Sequence, residues 1–133
     1  MRDHAQTVAV ITGGSQGLGL AIAERLLAEG CPQMIIAGRG VMKGEEAAER
    51  LRETGADVRF LPVDMGDPQD AIDLINRAAT RFGRVTALVN AAAATDRGSI
   101  LDTTPASWDG LMAVNARGPF FALQRFAQLA IEN

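Results

Sequence analysis

The sequence predicts an α/β fold in which helices cover both faces of a parallel sheet, the doubly wound arrangement. Three features of the chain predict it. Short apolar runs rich in β-branched residues alternate with longer runs whose apolar residues recur at helical spacing. The segments between these runs are short, as in a chain of β-α units. The strand runs are mostly apolar, which is typical of parallel strands that are buried on both faces.

Local signals mark where several elements begin and end. Asp67 followed by Pro68 is typical of a helix N-cap with proline at the first helical position. Gly30 and Gly55 follow helical runs, where glycine commonly forms the C-terminal cap. The predicted strands are Val8–Ile11, Met34–Ala37, Val58–Pro62 and Ala87–Asn90, and the predicted helices are Gly17–Glu29, Lys43–Thr54, Pro68–Phe82 and Thr104–Ile131.

The last predicted helix is the longest and has little polar surface. Its apolar residues run from Leu111 to Ile131 and include three phenylalanines. A surface helix normally has a broad polar face. We therefore expect this helix either to lie between other elements or to contact a second subunit.

Composition limits the classes of function. The 133 residues suffice for one domain, 1–133, that buries about two-thirds of its unfolded surface. A content of 47% apolar and 22% charged residues is ordinary for a globular protein. With a net charge of −3 and no long basic run, we expect no nucleic-acid partner. No apolar stretch approaches the ~20 residues of a membrane span, and the N-terminus is too polar for a signal peptide, so we expect a cytoplasmic protein without membrane contact.

The chain has one cysteine, Cys31, which excludes an internal disulfide. The sequence offers no Cys/His cluster that could hold a metal. Cys31 precedes Pro32 in a predicted helix-to-strand turn, so we expect a partly buried structural thiol.

A glycine-rich turn joins the first predicted strand to the first predicted helix. Glycines at such a turn let the backbone approach a pyrophosphate closely, and the helix N-terminus adds unpaired N–H groups with partial positive charge. A glycine-rich run alone can be an ordinary turn, but the strand before it and the helix after it favour a nucleotide site. The turn reads Thr12-Gly13-Gly14-Ser15-Gln16-Gly17-Leu18-Gly19.

The end of the second strand bears on which dinucleotide is bound. An acidic residue there would bond both ribose hydroxyls and repel a 2′-phosphate, which selects NAD. Here the place holds Gly38, and Arg39 follows. A guanidinium offers phosphate a planar fork of charged donors, and Ser15 could add a hydroxyl. We therefore expect NADP to be favoured over NAD; the alternative is that Arg39 is a solvated loop charge.

Four landmarks fall in order along the chain. They are Thr12-Gly13-(three residues)-Gly17-Leu18-Gly19, Asp64 closing the third strand, Leu88-Val89-Asn90-Ala91-Ala92-Ala93 around the end of the fourth strand, and Trp108 followed by Val114-Asn115. In this order they resemble the short-chain dehydrogenase/reductase family, over the whole chain but only over the first half of a usual family member. The resemblance implies a Rossmann-type fold that binds NAD(P), cut after about four strands in the order 3-2-1-4.

The resemblance also implies a set of cofactor contacts. Asp64 would bond the adenine amino group. Ala91 and Ala93 stand where the family usually has asparagine and glycine, so we expect a slightly altered loop near the nicotinamide ribose rather than a blocked site. The implied contacts are Gly13, Ser15, Gln16, Gly17, Leu18, Gly19, Arg39, Asp64, Met65, Asn90, Ala91 and Ala92.

Several landmark residues have a structural interpretation when each is taken alone. Asp64 could cap the following turn, Asn90 could be a turn residue, and Asn115 could bond a backbone carbonyl. Trp108 is expected in the core or in a hydrophobic staple. Only the shared order favours a functional interpretation of the three polar residues.

The resemblance also implies a catalytic mechanism. A tyrosine exchanges a proton with the substrate, a lysine lies four residues later, and an asparagine holds a water of the proton relay. Only the asparagine can be assigned, as Asn115. The chain has no tyrosine, and its single lysine, Lys43, lies near the second predicted strand. His4 is expected in a disordered tail, and Asp96 and Asp102 would be ionised and poor acids at pH 7. We expect no turnover by this chain alone.

Three functions remain open from the sequence. The first is the cofactor-binding half of an NADP-dependent oxidoreductase that acts on a small-molecule alcohol or carbonyl. The second is a non-catalytic dinucleotide-binding or redox-sensing module. The third is another doubly wound domain, such as a flavodoxin-like or receiver-like protein. The substrate itself is not predicted, because the resembling family builds its substrate pocket largely from segments after the tyrosine.

Subunit contacts are expected on the last helix. The resemblance implies a homo-oligomer for an intact protein, and small residues at Ala116, Gly118 and Ala122 would allow close helix packing. A chain that stops at Asn133 would leave the fourth strand as an open sheet edge. We therefore expect the natural protein to continue.

Overall fold

A computed structural model describes residues 3–133 and contains a four-stranded parallel sheet with helices on both faces. The strands are β1 (Val8–Thr12), β2 (Gln33–Gly38), β3 (Asp57–Pro62) and β4 (Ala87–Asn90), in the order β3-β2-β1-β4. The helices are α1 (Gly17–Ala28), α2 (Val41–Arg52), α3 (Pro68–Phe82), α4 (Pro105–Met112) and α5 (Gly118–Glu132). The predicted fold class and strand order are confirmed.

The register of the sheet brings three turns to one edge. β1 lies between β2 and β4, and Thr12 at its end is aligned with Ala37 on one side and Asn90 on the other. All five residues of β1 are buried. Because the strands are parallel, the segments that leave β1, β2 and β4 emerge side by side, the usual place for a ligand in a doubly wound sheet.

Alternate residues of the central strands supply two separate cores. Ile11 and Met34 belong to the core under α1 and α2, whereas Val10 and Ile35 belong to the core under α3 and α5. This alternation follows from the two-residue period of a strand, and it is the reason why consecutive residues in the middle of β1 and β2 are apolar.

The expected helix ends are found in the structure. The Asp67 carboxylate accepts a hydrogen bond of 2.9 Å from the Gln69 backbone N–H at the start of α3. Gly30 and Gly55 have φ angles of 94° and 91°, in the left-handed region that glycine tolerates. Helix α2 begins two residues before the predicted Lys43, because no side chain marks its start: its N-cap is Gly40.

Cys31 is 2% exposed, and its thiol lies 3.4 Å from the carbonyl oxygens of Thr7 and Gln33. Burial raises the pKa of this thiol above its ordinary value. The interpretation as a structural thiol therefore holds, with the side chain buried more completely than expected.

The last predicted helix is found at residues 105–132, with one irregular turn inside it. A π-helical segment, Ala113–Arg117, separates α4 from α5. Trp108, expected in the core or in a hydrophobic staple, is 61% exposed, so the core alternative is wrong. The physical reason is that α4 is short and has no buried residue among those described, so no core lies beneath it.

His4 lies against helix α1, contrary to the expected disordered tail. Its backbone N–H donates to the Glu29 carbonyl over 2.9 Å. One ring nitrogen is 3.0 Å from the Thr7 hydroxyl, and the other is 3.3 Å from the Glu29 carboxylate. These contacts tie the described N-terminal residues to the C-terminal end of the helix.

Two of the small residues expected between subunits are used inside the protomer. Gly118 and Ala122 are buried, and Gly118 lies against the carbonyl oxygen of Met65. The outward face of α5 instead exposes Phe120, Leu123 and Ile131. No helix among residues 3–133 is long and apolar enough to span a membrane.

The contact between Gly118 and Met65 leads to a prediction about stability. Gly118→Ala should lower the free energy of unfolding by about 1–3 kcal/mol, because an added Cβ would collide with the Met65 carbonyl. Gly110→Ala in α4 is the matched control: nothing lies within 4 Å of its added methyl, and the change should stabilise the helix by up to about 1 kcal/mol. Urea unfolding followed by circular dichroism measures both, and equal midpoints would contradict the close contact.

Candidate functional site

A cavity of about 420 Å³ opens at the edge of the sheet where β1, β2 and β4 end. The turn after β1, the turn after β2 and the loop after β4 form most of its wall. Its lining residues are Gly13, Ser15, Gln16, Gly17, Leu18, Gly19, Gly38, Arg39, Gly40, Lys43, Val63, Met65, Ala91, Ala92, Ala93, Ala94 and Val114. Of the twelve expected cofactor contacts, all but Asp64 and Asn90 are in this set.

The glycines of the first turn are required for different reasons. A Cβ on Gly13, whose φ is 66°, would collide with the backbone of Ala91 and Ala92. A Cβ on Gly19 would collide with the Gly13 carbonyl. Gly17 has a φ of 55°, and no atom lies within 4 Å of the place of its Cβ, so its backbone faces open space.

The start of α1 is directed at the same cavity. Gln16 is the N-cap residue, and its side chain makes no capping hydrogen bond. No acidic residue lies in the first turn of the helix. The free N–H groups and the positive end of the helix dipole can therefore interact with a ligand anion.

Thr12 holds the loop after β4 against the glycine-rich turn. The side chain is 1% exposed, and its hydroxyl accepts hydrogen bonds of 3.2 Å from the backbone N–H groups of both Ala91 and Ala92. The sequence analysis included Thr12 only as part of the motif. The feature of the sequence that could have indicated this role is a β-branched residue with a hydroxyl at the end of a buried strand.

Two cationic side chains lie beside the cavity after β2. Arg39 is exposed and lines the wall, and within residues 3–133 its guanidinium has no hydrogen-bond or ion-pair partner. The Lys43 ammonium donates a hydrogen bond of 3.0 Å to the Gln16 side-chain oxygen. Sequence reasoning considered Lys43 only as a missing catalytic lysine and did not predict its place in this cavity.

Asp64 and Asn90 do not line the cavity, and their side chains have other partners. The Asp64 carboxylate accepts a hydrogen bond of 2.8 Å from the Gly66 N–H, as in the turn-cap interpretation. The Asn90 amide nitrogen lies 3.5 Å from the Pro119 carbonyl oxygen, at the start of α5. Met65, which follows Asp64, is 4% exposed and lines the cavity.

Asn115 lies in the π-helical segment and binds one residue at both of its polar atoms. Its side-chain oxygen accepts from the Ala94 N–H at 2.8 Å, and its side-chain nitrogen donates to the Ala94 carbonyl at 2.7 Å. This pair of hydrogen bonds fixes the loop after β4 to the helix. A π-helical turn is frequent at functional sites because it turns a side chain away from its regular helical direction.

Asp96 and Asp102, in the loop after β4, are not suitable proton donors. Hydrogen bonds from the Ser107 hydroxyl and the Gly98 N–H lower the pKa of Asp96, and bonds from the Ser99 N–H and hydroxyl lower the pKa of Asp102. Both carboxylates are therefore ionised near neutral pH. Among the described residues there is also no cluster of His, Cys, Asp and Glu that could hold a metal ion.

Comparison with known proteins gives consistent results. Residues 7–133 match the family model described as short chain dehydrogenase. An uncharacterized oxidoreductase of Thermotoga maritima is 36% identical over 125 residues, which are 94% of this chain and 48% of that protein. An NADP-dependent (R)-specific alcohol dehydrogenase of Lentilactobacillus kefiri is 39% identical over 114 residues, which are 86% of this chain and 44% of that protein.

Solved structures give the same result. A short chain dehydrogenase of Burkholderia cenocepacia, in complex with NADP, superimposes with a TM-score of 0.91 at 29% identity, and the match covers 96% of this chain and 52% of that one. The chain thus spans about half the length of the relatives it matches. With its strand order, its glycine-rich turn and a family match over almost every residue, the chain belongs to the short-chain dehydrogenase family.

Proposed function

We propose that this chain is the cofactor-binding half of an NADP(H)-dependent oxidoreductase that interconverts a small-molecule alcohol and its carbonyl. The observation that carries the proposal is the cavity, in which a glycine-rich turn, a helix N-terminus and a free arginine face the same space. Relatives described as NADP-dependent, or crystallised with NADP, support the choice of cofactor. The proposed domain spans residues 1–133.

The residues present fit a dinucleotide. Gly17 leaves open space where a side chain would stand. Because Gly13 and Gly19 have no Cβ, the turn packs closely against its neighbours. The pyrophosphate would be held by the backbone of this turn, and the nicotinamide half by the loop at Asn90, Ala91 and Ala92. Ala91 and Ala92 are half-buried and Ala93 is exposed, which supports an altered loop rather than a blocked one. When bound, the cofactor supplies the hydride that the reaction transfers.

The adenosine end of the site involves two further proposed contacts. Arg39 would bind the 2′-phosphate with Ser15 beside it, since both line the cavity at the ends of β2 and β1. One oxygen of the Asp64 carboxylate already accepts from the Gly66 N–H. Asp64 would therefore bond the adenine amino group through its other oxygen, or by giving up the bond to Gly66. We therefore propose Arg39 as the stronger determinant of cofactor choice.

Asn115 is proposed as a positioning residue. Both of its polar atoms are bound to Ala94, so the side chain could hold a water of a proton relay only by giving up one of those bonds. Its present bonds fix the loop that forms the wall of the cavity. A catalytic contribution would thus come through the loop geometry.

A second candidate function is a non-catalytic dinucleotide-binding or redox-sensing module. The observation that favours it is that the described site consists of dinucleotide contacts, while both polar atoms of Asn115 are bound to Ala94. For the whole protein we propose a cytoplasmic homo-oligomer in which the exposed apolar residues Phe120 and Leu123 of α5 contribute to a subunit interface.

Cofactor binding is the direct test of the proposal. Titration of the protein with NADPH and with NADH, followed by nicotinamide fluorescence, should give tighter binding of NADPH. Arg39→Ala should weaken NADPH binding by roughly tenfold or more and NADH binding little, because only NADPH carries the phosphate that the guanidinium binds. Arg50→Ala is the matched control, since Arg50 is on α2 outside the cavity and pairs with Glu24 at 3.8 Å. Equal losses for the two cofactors would contradict the assignment of Arg39.

The role of Asn115 is tested by the mobility of the loop it holds. Asn115→Asp should speed hydrogen exchange at Ala94 and its neighbours, because the variant loses the donor to the Ala94 carbonyl and places a carboxylate against it. Asn133→Asp is a suitable control, since that amide bonds only the Leu129 carbonyl at the far end of α5. Unchanged exchange in the loop would exclude the positioning role.

Catalysis by the chain itself should be absent. General acid–base catalysis contributes about 10²–10⁴-fold, and no tyrosine is present to exchange a proton with the substrate. With NADPH bound, the 133-residue chain should reduce none of a panel of small ketones at a rate above the reaction without protein. Turnover that survives repurification and falls in Arg39→Ala at NADPH concentrations below saturation would overturn this expectation.

A further inference from the structure

We propose that Lys43 is a second cation for the 2′-phosphate of NADP(H), and that Gln16 holds its ammonium at the site until the phosphate replaces the amide oxygen. This inference rests on the proposed NADP(H) binding. It adds to that proposal a residue pair that sets the preference for the phosphorylated cofactor.

The hydrogen bond between Lys43 and Gln16 crosses from one turn to another. Gln16 is the N-cap residue of α1, after the glycine-rich turn, and Lys43 is the third residue of α2, after the turn at β2. The ammonium and the amide oxygen are 3.0 Å apart, and both residues line the cavity. The bond therefore keeps a flexible lysine directed at the cavity rather than at solvent.

The charge of the cavity wall favours an anion. Arg39 and Lys43 both line it, and no acidic side chain is among its lining residues in the described part of the chain. The chain as a whole carries a net charge of −3. Two cations without a carboxylate on this one wall are thus a local reversal of the overall charge, as expected where a phosphate binds.

The partner that Lys43 has in the structure is one that a phosphate can displace. Gln16 and Lys43 are both exposed, and the amide is a neutral acceptor. A phosphate oxygen is an anionic acceptor, and hydrogen bonds between two charged groups are roughly twice as strong as neutral ones. Lys43 therefore gains a stronger hydrogen bond when the phosphate replaces the Gln16 amide, and this gain stabilises bound NADP(H). NAD(H) has a free 2′-hydroxyl and offers no such charge.

Arg39 and Lys43 would divide the recognition of the phosphate. Arg39 lies in the turn after β2, and Lys43 follows on the first turn of α2. The guanidinium is a planar fork suited to two phosphate oxygens, and the ammonium is a compact point charge for a third. Loss of either should reduce discrimination without removing cofactor binding.

The first experiment compares binding constants. Lys43→Gln in the full chain should weaken NADPH binding by roughly tenfold and change NADH binding by less than about twofold, because only the charged contact to the phosphate is lost. Arg50→Gln removes a positive charge from the same helix outside the cavity and should change neither. Gln16→Glu should weaken the binding of both cofactors, and that of NADPH more, since a carboxylate would pair with the ammonium and repel the 2′-phosphate as well as the pyrophosphate.

The second experiment uses the fact that Lys43 is the only lysine in the chain. Lysine labelled with ¹³C at Cε gives a single side-chain resonance. Adenosine 2′,5′-bisphosphate should shift this resonance, whereas AMP, which lacks the 2′-phosphate, should not. This measurement needs no turnover and still reports on Lys43 if a variant folds poorly.

The results separate this inference from the proposed function. If the wild-type chain prefers NADPH and Arg39→Ala removes the preference, but Lys43→Gln and the lysine resonance show no effect of the phosphate, the role of Lys43 is overturned and NADP(H) binding stands. If the wild-type chain binds neither cofactor, the proposed function fails and this inference fails with it. Selective loss in Lys43→Gln together with a shift specific to the bisphosphate supports the proposal.

Discussion

The turn after β1 and the loop after β4 touch backbone to backbone, and the shape of the cavity depends on that contact. Gly13 allows it, because any side chain there would enter the peptide units of Ala91 and Ala92. Thr12 maintains it with one buried hydroxyl that accepts hydrogen bonds from both N–H groups. A buried N–H without a partner costs about 1–3 kcal/mol, so these two bonds make separation of the turns unfavourable. The remaining walls are built outward from this junction.

Most of the sheet could be predicted because its strands are apolar, short and separated by clear turns. β4 has its predicted bounds, and the ends of the other strands differ from prediction by one residue. The strand order could not be predicted from the same pattern. Periodicity identifies strands but not their neighbours, so the order 3-2-1-4 came from the family resemblance, and the structure confirms it.

The features that could not be predicted concern contacts between distant parts of the chain. The π-helical segment after α4 coincides with the bonds from Asn115 to Ala94, 21 positions away, which no local pattern contains. Trp108 appeared to be a core residue because tryptophan usually is, but the helix that carries it covers no core. Lys43 is not in the position of a catalytic lysine, and its place in the wall of the cavity follows from the start of α2 after the turn at β2. In each case the residue type was known and its partner was not.

The π-helical segment also determines which side of α5 faces the protein. Each residue of a regular helix advances by roughly 100°, so one extra residue in a turn rotates everything that follows by that angle. With the segment present, Gly118 and Ala122 point inward, and Phe120 and Leu123 point outward. A regular helix through positions 113–117 would rotate Gly118 away from the Met65 carbonyl, where a Cβ has no room. The local irregularity near the cavity and the apolar outer surface of α5 therefore have one origin, and neither can change without the other.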